Sequence, residues 1–279
     1  MIKRVAALHD ISCYGRSSLT VVIPVLSGMG INVCPVPTAL LSTSTAYPNP
    51  HILDLTQHIT PILNHWKTLD LKFDAVYSGF LGSPAQCELV KQMISDFNHK
   101  DLLKIVDPVL GDNGELYDSM PMAMVESMKE LVKCADIITP NLTEACLLLG
   151  EDYRDNFSKE EIEKFIYRLA DFGTKMIVIT GIPDFDADGK HAKTQVMAYS
   201  KADDEMLLFA CDYIPAEYPG TGDAFASVIC GALLHNNSLS KAVQHAMNYV
   251  YESIKLTFEE NADPREGVYQ EKTMPLLQL

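Results

Sequence analysis

A glycine-rich turn followed by an aspartate carries the clearest chemical signal in this chain. Gly220, Thr221 and Gly222 precede Asp223, and an almost wholly apolar run follows. That run predicts a buried helix whose first amide N–H groups lack partners, and glycines let an anion approach such amides closely. A carboxylate at this positive helix end could take a proton from a hydroxyl while the amides hold a phosphoryl group. A glycine turn with an N-terminal aspartate cap explains the four residues equally well.

Two acidic residues share one short loop after the predicted strand at residues 103–106. Asp107 and Asp112 have the carboxylate oxygens that Mg²⁺ prefers, together with waters and phosphate oxygens. A turn stabilised by aspartate side chains, with Pro108 fixing the backbone, is an equal alternative.

Asn141 and Glu144 follow the next predicted strand, at residues 137–139. In isolation they are typical of a helix start, with Asn141 or Thr143 as the cap and Glu144 in the first turn. Because Asn141 and Glu144 occur in the same chain as a second acidic loop and a glycine turn, the combination favours a ligand-binding site.

Polar residues also follow the first predicted strand, at residues 4–8. Asp10 and Ser12 could hydrogen-bond a small ligand, and Gly15 allows a tight turn. Helix capping explains Ser17 and Ser18 without a ligand, but it does not explain Asp10.

Short apolar stretches alternate with longer amphipathic ones along the chain. This alternation predicts βαβ units and a mainly parallel central sheet with helices on both faces, a three-layer α/β/α fold in which ligands collect outside the carboxyl ends of the strands. We find no internal repeat or linker, which predicts one domain over residues 1–279. The predicted strands are 4–8, 31–36, 75–78, 103–106, 137–139, 176–180 and a hairpin of 195–199 and 206–213; the predicted helices are 18–29, 53–67, 84–97, 120–133, 159–172, 222–235 and 240–257.

The amino-acid composition argues against two classes of binding partner. The formal net charge of −15 argues against nucleic acid and against an anionic membrane, because both are bound first through Lys and Arg. No apolar run approaches the roughly 18 residues that a membrane span needs. The seven scattered cysteines predict buried thiols in a reducing compartment rather than a disulfide framework, so we expect a cytoplasmic protein.

The combination of these motifs resembles a known family. Gly220-Thr-Gly-Asp223, Asn141-Leu-Thr-Glu144 and Asp107-Pro-Val-Leu-Gly-Asp112, together with Tyr14-Gly15 and Ser78-Gly-Phe-Leu-Gly82, are similar to the ribokinase-like superfamily of ATP-dependent small-molecule kinases. Within it the chain most resembles the pyridoxal kinases, and the resemblance covers about the whole chain. It implies phosphorylation of vitamin B6, with ATP as co-substrate, Mg²⁺ as cofactor and a homodimer as the assembly.

The resemblance also implies a role for each site residue. Asp223 would be the base for the 5′-hydroxymethyl group of the substrate, and Gly220, Thr221 and Gly222 would form the anion hole around the γ-phosphate. Asp107, Asp112, Asn141 and Glu144 would organise ATP, three of them as magnesium ligands: Asp107, Asp112 and Glu144. Thr180 and Thr221 would lie near the nucleotide. The pyridine ring would lie among Asp10, Ser12, Thr45, Tyr47 and Phe80.

Three positions depart from the usual pattern of the pyridoxal kinases. Asp10 replaces a common serine, Ile11 a histidine and Phe80 a frequent tyrosine, and these changes bear on whether pyridoxal, pyridoxine or pyridoxamine is preferred. Two alternatives stay open: a hydroxymethylpyrimidine kinase of the same superfamily, and a non-catalytic protein that binds vitamin B6 on the same fold.

Overall fold

The structure, a computed structural model, describes residues 2–118 and 120–278. The chain divides into two compact units: the first combines the chain up to Leu103 with the chain from Ile214 onward, and the second runs from Lys104 to Tyr213. The single domain predicted over residues 1–279 stays a prediction. Within the described residues, no helix has both the length and the apolar character to cross a membrane.

Strands and helices alternate through most of the chain. In chain order the elements are β1 (Arg4–Ser12), α1 (Leu19–Gly28), β2 (Asn32–Leu41), β3 (Ile52–Asp54), α2 (Thr56–Thr68), β4 (Ala75–Ser78), α3 (Pro84–Asp96), β5 (Leu103–Val106), β6 (Gly111–Asp112), β7 (Glu115–Leu116), α4 (Ala123–Val132), β8 (Ile137–Ile138), α5 (Leu142–Leu149), α6 (Lys159–Ala170), β9 (Met176–Phe185), β10 (His191–Ser200), β11 (Glu205–Asp212), α7 (Thr221–Leu234), α8 (Leu239–Glu259) and α9 (Gln270–Thr273).

The strands of the first unit run in the order β4-β1-β2-β3. β1 pairs in parallel with both β2 and β4, whereas β3 pairs antiparallel with β2. All four residues of β4 and residues 5–10 of β1 are buried, as expected of parallel strands covered on both faces. Since Leu8 pairs with Ser78, the residues that follow each of them lie at the same edge.

The second unit has the strand order β11-β10-β9-β8-β5. β8 pairs in parallel with β5 and β9, and β9, β10 and β11 form an antiparallel meander. A separate hairpin of β6 and β7 turns at Asn113 and Gly114, both with positive φ (51° and 83°). Asn-Gly is the pair that a tight two-residue hairpin prefers, because both central residues need positive φ.

Helix α7 is the most buried helix of the first unit. Ten of its fourteen residues are buried, and it packs against α1 and α8. Its buried residues begin at Ala224, whereas Gly222 is exposed and Thr221 is half-buried. The first amides of the helix, which have no partner within it, therefore lie near the surface.

Several predicted bounds are wrong, and each error has a local cause. β1 continues through residues 9–12, because these pair with β2 across a register shift between His9 and Ile11. β9 likewise runs on beyond Thr180. The helix predicted from residue 53 begins at Thr56, since residues 52–54 pair with β2 instead. The β6–β7 hairpin was not predicted, although its Asn-Gly pair signals it.

Candidate active site

The Asp223 carboxylate lies in the first turn of α7 and is held from outside its own helix. Its Oδ2 accepts a hydrogen bond from the backbone N–H of Ser18 at 2.7 Å, and the side chain is 13% exposed. The N-cap of α7 is Gly220, which makes no side-chain cap. Because its hydrogen-bond partner is Ser18, the Asp223 carboxylate is oriented by the tertiary structure and does not cap its own helix.

Ser18 connects this carboxylate to a second one. The Ser18 hydroxyl donates a short hydrogen bond to Asp10 Oδ1, so it does not cap α1. Asp10 is buried within β1. Burial, assisted by the charge of Asp223, raises the pKa of Asp10 to about 6 despite the Ser18 hydrogen bond, which opposes the rise.

His9 also faces Asp223, and sequence reasoning did not assign it to the site. Its side chain is fully buried, and Nδ1 lies 3.7 Å from Asp223 Oδ1. The ring packs edge-on against Tyr77, with centroids 4.4 Å apart. A histidine ending the apolar run, directly before Asp10, is the signal that could have identified it.

The glycine turn is shaped by close packing as well as by its conformation. Gly220 has φ 82°, and a Cβ added there would lie 2.4 Å from the Arg16 carbonyl oxygen. No other residue type fits both conditions. Thr221 donates its hydroxyl to the Tyr218 carbonyl at 3.0 Å, which stabilises the turn before the helix.

The other predicted substrate residues of the first unit fall into two groups. Ser12 is buried at the end of β1, where its hydroxyl accepts from Ser17 at 3.1 Å. Thr45 is exposed and Tyr47 half-buried on the loop after β2. Tyr47 packs edge-on against Tyr14 and under the Arg265 guanidinium. Phe80 is half-buried two residues after β4, and its carbonyl accepts from the Thr38 hydroxyl.

In the second unit, two buried carboxylates lie near each other. Asp107 Oδ1 accepts from the Thr139 hydroxyl at 2.9 Å, and both residues are buried. Burial, reinforced by the charge of Asp107, raises the pKa of Glu144 well above its usual range. Two carboxylates that oppose each other's ionisation in this way are a fitting environment for a cation.

Glu144 and Asn141 form a capping box at the start of α5. Asn141 Oδ1 accepts from the Glu144 N–H, and Glu144 Oε2 from the Asn141 N–H, both at 2.8 Å. Glu144 Oε1 also accepts from the Leu110 N–H, and Asn141 donates to the Gly111 carbonyl. The helix-cap interpretation is therefore correct, and the same pair holds the acidic loop in place.

The remaining predicted nucleotide residues differ in exposure. Asp112 is exposed on β6, where its carboxylate accepts from the Asn113 N–H. Thr180 lies inside β9, next to Asn141 across an isolated parallel bridge, and its N–H donates to the Pro140 carbonyl. Among the described residues, no three His, Cys, Asp or Glu side chains form a metal cage. Mg²⁺ does not need one, because it commonly binds through one or two carboxylates and phosphates.

Comparison with protein families shows what the chain is related to. A model of the phosphomethylpyrimidine kinase family matches residues 23–267. The chain belongs to this family. The match includes the acidic loop, the α5 capping box and the glycine turn, but begins after β1, so it does not cover Asp10 or Ser18.

Relatives with named activities are similar over nearly their whole length. The chain is 45% identical to a protein from Bacteroides thetaiotaomicron, assigned as a phosphomethylpyrimidine kinase and solved with pyridoxal, covering 99% of this chain and 96% of that one with a TM-score of 0.95. A pyridoxal kinase from Lactobacillus plantarum is 30% identical, covering 99% and 97% with a TM-score of 0.88. A pyridoxal kinase from Dictyostelium discoideum is 27% identical, covering 92% and 87%.

These findings confirm the predicted enzyme class, the predicted relationship to the pyridoxal kinases and the predicted fold class. The chain is a kinase related to the pyridoxal kinases of the ribokinase-like superfamily. Its fold class is α/β, with a mainly parallel central sheet flanked by helices, like that of the Lactobacillus plantarum enzyme. The roles of individual residues stay predictions.

Proposed function

We propose that this protein transfers the γ-phosphoryl group of ATP to the 5′-hydroxymethyl group of a vitamin B6 vitamer, with Asp223 as the base. The related kinases support the reaction class, and the orientation of the Asp223 carboxylate carries the proposal. It lies at the positive end of a buried helix, is held by Ser18, and remains partly exposed. A catalytic base must be accessible to a substrate that enters from solvent, and it must keep a fixed orientation towards the substrate hydroxyl group.

The chemistry of the first unit follows from these positions. Asp223 takes the hydroxyl proton as the substrate oxygen forms a bond to the γ-phosphorus, and the bond from that phosphorus to the bridging oxygen breaks to release ADP. The amides of residues 220–222 stabilise the negative charge of the phosphoryl group during transfer. Because Gly220 carries no side chain, the turn can present these amides at close range.

Residues of the second unit are proposed to hold ATP. Asp107, Asp112 and Glu144 would bind Mg²⁺ directly or through its waters, and Asn141 and Thr180 would lie beside the nucleotide. Both Glu144 oxygens already accept a backbone N–H, but each carboxylate oxygen has a second lone pair. When bound, Mg²⁺ neutralises charge on the phosphate oxygens.

Asp10 is proposed to select among vitamers. Together with Ser12, Thr45, Tyr47 and Phe80 it would surround the pyridine ring. An ionised Asp10 would pair with the protonated ring nitrogen or with the amine of pyridoxamine. Asp10→Ser should then lower kcat/KM for pyridoxamine relative to pyridoxal, and an unchanged ratio would disprove this role.

A substrate panel tests the reaction. ATP consumption is measured with pyridoxal, pyridoxine, pyridoxamine and hydroxymethylpyrimidine, in the parent and in Asp223→Asn. Asparagine keeps an acceptor for the Ser18 N–H but cannot take a proton, so kcat should fall by about 10²-fold to 10⁴-fold. Asp96→Asn is the matched control and should keep parent activity, because Asp96 on α3 only pairs at the surface with Lys67 of α2. Unaltered turnover in Asp223→Asn would overturn the assigned base.

The same panel decides between the alternatives. The family match to phosphomethylpyrimidine kinases favours hydroxymethylpyrimidine as a second candidate substrate, and preferential turnover of it would replace vitamin B6. Stabilisation against heat by ATP, Mg²⁺ and a vitamer without ATP consumption would identify a binding protein instead.

We also propose a cytoplasmic homodimer. The seven cysteines are free thiols, which suits a reducing compartment, and the homodimer follows from the resemblance to pyridoxal kinases. Sedimentation analysis of the purified protein tests the assembly: a monomer at micromolar concentration would contradict it.

A further inference from the structure

His9 is a buried titratable residue that the proposed reaction does not yet use. It lies within β1, its side chain is 0% exposed, and neither ring nitrogen has a hydrogen-bond partner among the described residues. Leaving buried polar atoms unpaired is unfavourable, and native proteins rarely do so without a reason. An apolar side chain would fill this position without that penalty.

The ring of His9 is fixed in direction by its neighbours. Tyr77 packs edge-on against it, at an interplanar angle of 79°. Gly79 packs directly against the imidazole of His9, because a Cβ atom added at Gly79 would lie 2.3 Å from His9 Nδ1. Tyr77 also donates its hydroxyl to the Asp223 carbonyl at 3.4 Å. The packing that orients the imidazole is therefore attached to the helix that carries the proposed base.

The two oxygens of Asp223 have different surroundings. Oδ2 accepts from the Ser18 N–H at 2.7 Å, whereas Oδ1 faces His9 Nδ1 at 3.7 Å. A movement of about 1 Å would bring this second pair to hydrogen-bond distance. Hydrogen bonds at active sites are often long without substrate and shorten when it binds.

We propose that His9 is a positioning residue for Asp223: with substrate bound, neutral His9 donates its Nδ1–H to Asp223 Oδ1, so that Ser18 and His9 together fix both oxygens. The inference rests on the proposed function, in which Asp223 is the base. Each oxygen keeps a lone pair for the substrate proton, and His9 neither gains nor loses a proton. Without the hydrogen bond from His9, the Asp223 carboxylate rotates about its one remaining hydrogen bond, which comes from the Ser18 N–H.

Three substitutions separate positioning from packing. His9→Asn keeps an N–H close to the place of Nδ1, His9→Gln moves it to the place of Nε2, and His9→Leu removes it at similar volume. We expect kcat to fall about 10-fold to 100-fold in the glutamine and leucine variants, with KM for the vitamer changed less than about threefold. The asparagine variant should recover most of the loss.

A control addresses the general effect of replacing a histidine. His245 on α8 likewise has an Nε2 atom without a hydrogen-bond partner among the described residues, but it is not part of the proposed site, so His245→Asn should keep the parent kcat. A folded His9→Leu variant with the parent kcat, or an asparagine variant as slow as the leucine one, would overturn the proposal.

A second measurement is made on the parent protein and therefore does not depend on whether a variant folds. Nitrogen-15 NMR of histidine-labelled parent protein, with a vitamer and a non-hydrolysable ATP analogue, reports which nitrogen of His9 carries the proton. We expect the Nδ1–H tautomer, and an Nε2–H tautomer would refute the inference. If Asp223→Asn keeps parent turnover while His9 still shows Nδ1–H in the parent, the assigned base fails but the His9–Asp223 contact stands.

Discussion

The backbone N–H of Ser18 donates a hydrogen bond to Asp223 Oδ2 at 2.7 Å, across 205 positions of the chain. The same residue donates its hydroxyl to Asp10. Ser18 also has φ 53° and ψ −130°, a conformation that L-residues other than glycine rarely adopt. The chain therefore accepts an unfavourable backbone conformation where two carboxylates are held together.

This strained conformation predicts an order of stability for two variants. Ser18→Ala and Ser18→Gly both lose the hydroxyl that bonds Asp10, but glycine relieves the positive φ. We expect Ser18→Gly to be the more stable of the two by about 1 kcal/mol, after allowing for the entropy of glycine in the unfolded chain. Urea unfolding of both variants measures this, and an alanine variant of equal or greater stability would contradict it.

The buried Asp10 predicts a pH-dependent stability difference. Its pKa rises from 3.8 to about 6 on folding, so the folded state holds the proton more tightly than the unfolded state. The destabilisation from Asp10 is therefore absent below about pH 4, grows as the pH rises and is complete above about pH 6, reaching at most about 3 kcal/mol.

Asp10→Asn isolates this effect from other carboxyl groups. We expect the free energy of unfolding of the variant, relative to the parent, to increase between pH 4.5 and pH 7 and then level off. Parallel stability curves for the two proteins over that range would show that Asp10 does not titrate there.

The contact between Gly79 and His9 predicts a local packing defect. In Gly79→Ala the added methyl group would overlap the imidazole, so we expect a loss of about 1–3 kcal/mol of stability and a lower kcat. Gly82→Ala is the matched control, because the nearest atoms to a Cβ added at Gly82 would lie 3.9 Å away. Thermal unfolding and turnover of both variants test this, and equal behaviour of the two would contradict the packing argument.

The two capping boxes of the second unit allow a further controlled comparison. Asn141 with Glu144 begins α5, and Ser158 with Glu161 begins α6. Each alanine substitution at a cap should cost about 1 kcal/mol of stability. Only Asn141→Ala also frees the acidic loop, so only it should raise KM for ATP, by about tenfold. A similar rise in Ser158→Ala would attribute the effect to general destabilisation.

Local patterns were sufficient where an element depends on its own residues. β4 and β5 have the predicted bounds, because short buried apolar runs flanked by polar residues read as strands without knowledge of their partners. The start of α7 was predicted to within one residue from the glycine turn and the apolar run. The sequence by itself thus determined the alternation of strands and helices, the kinase resemblance and the choice of Asp223 as the candidate base.

The tertiary structure decided which residues share a site and how they face each other. The extension of β1 to Ser12 depends on pairing with β2 across a register shift, and no periodicity within β1 encodes that partner. The sequence pattern assigns no role to His9 and offers Ser18 as a possible helix cap, and only the fold brings both residues to Asp223. The physical reason is that helix and strand signals arise between near neighbours, whereas the direction of a buried carboxylate is set by groups that only the chain's path brings together.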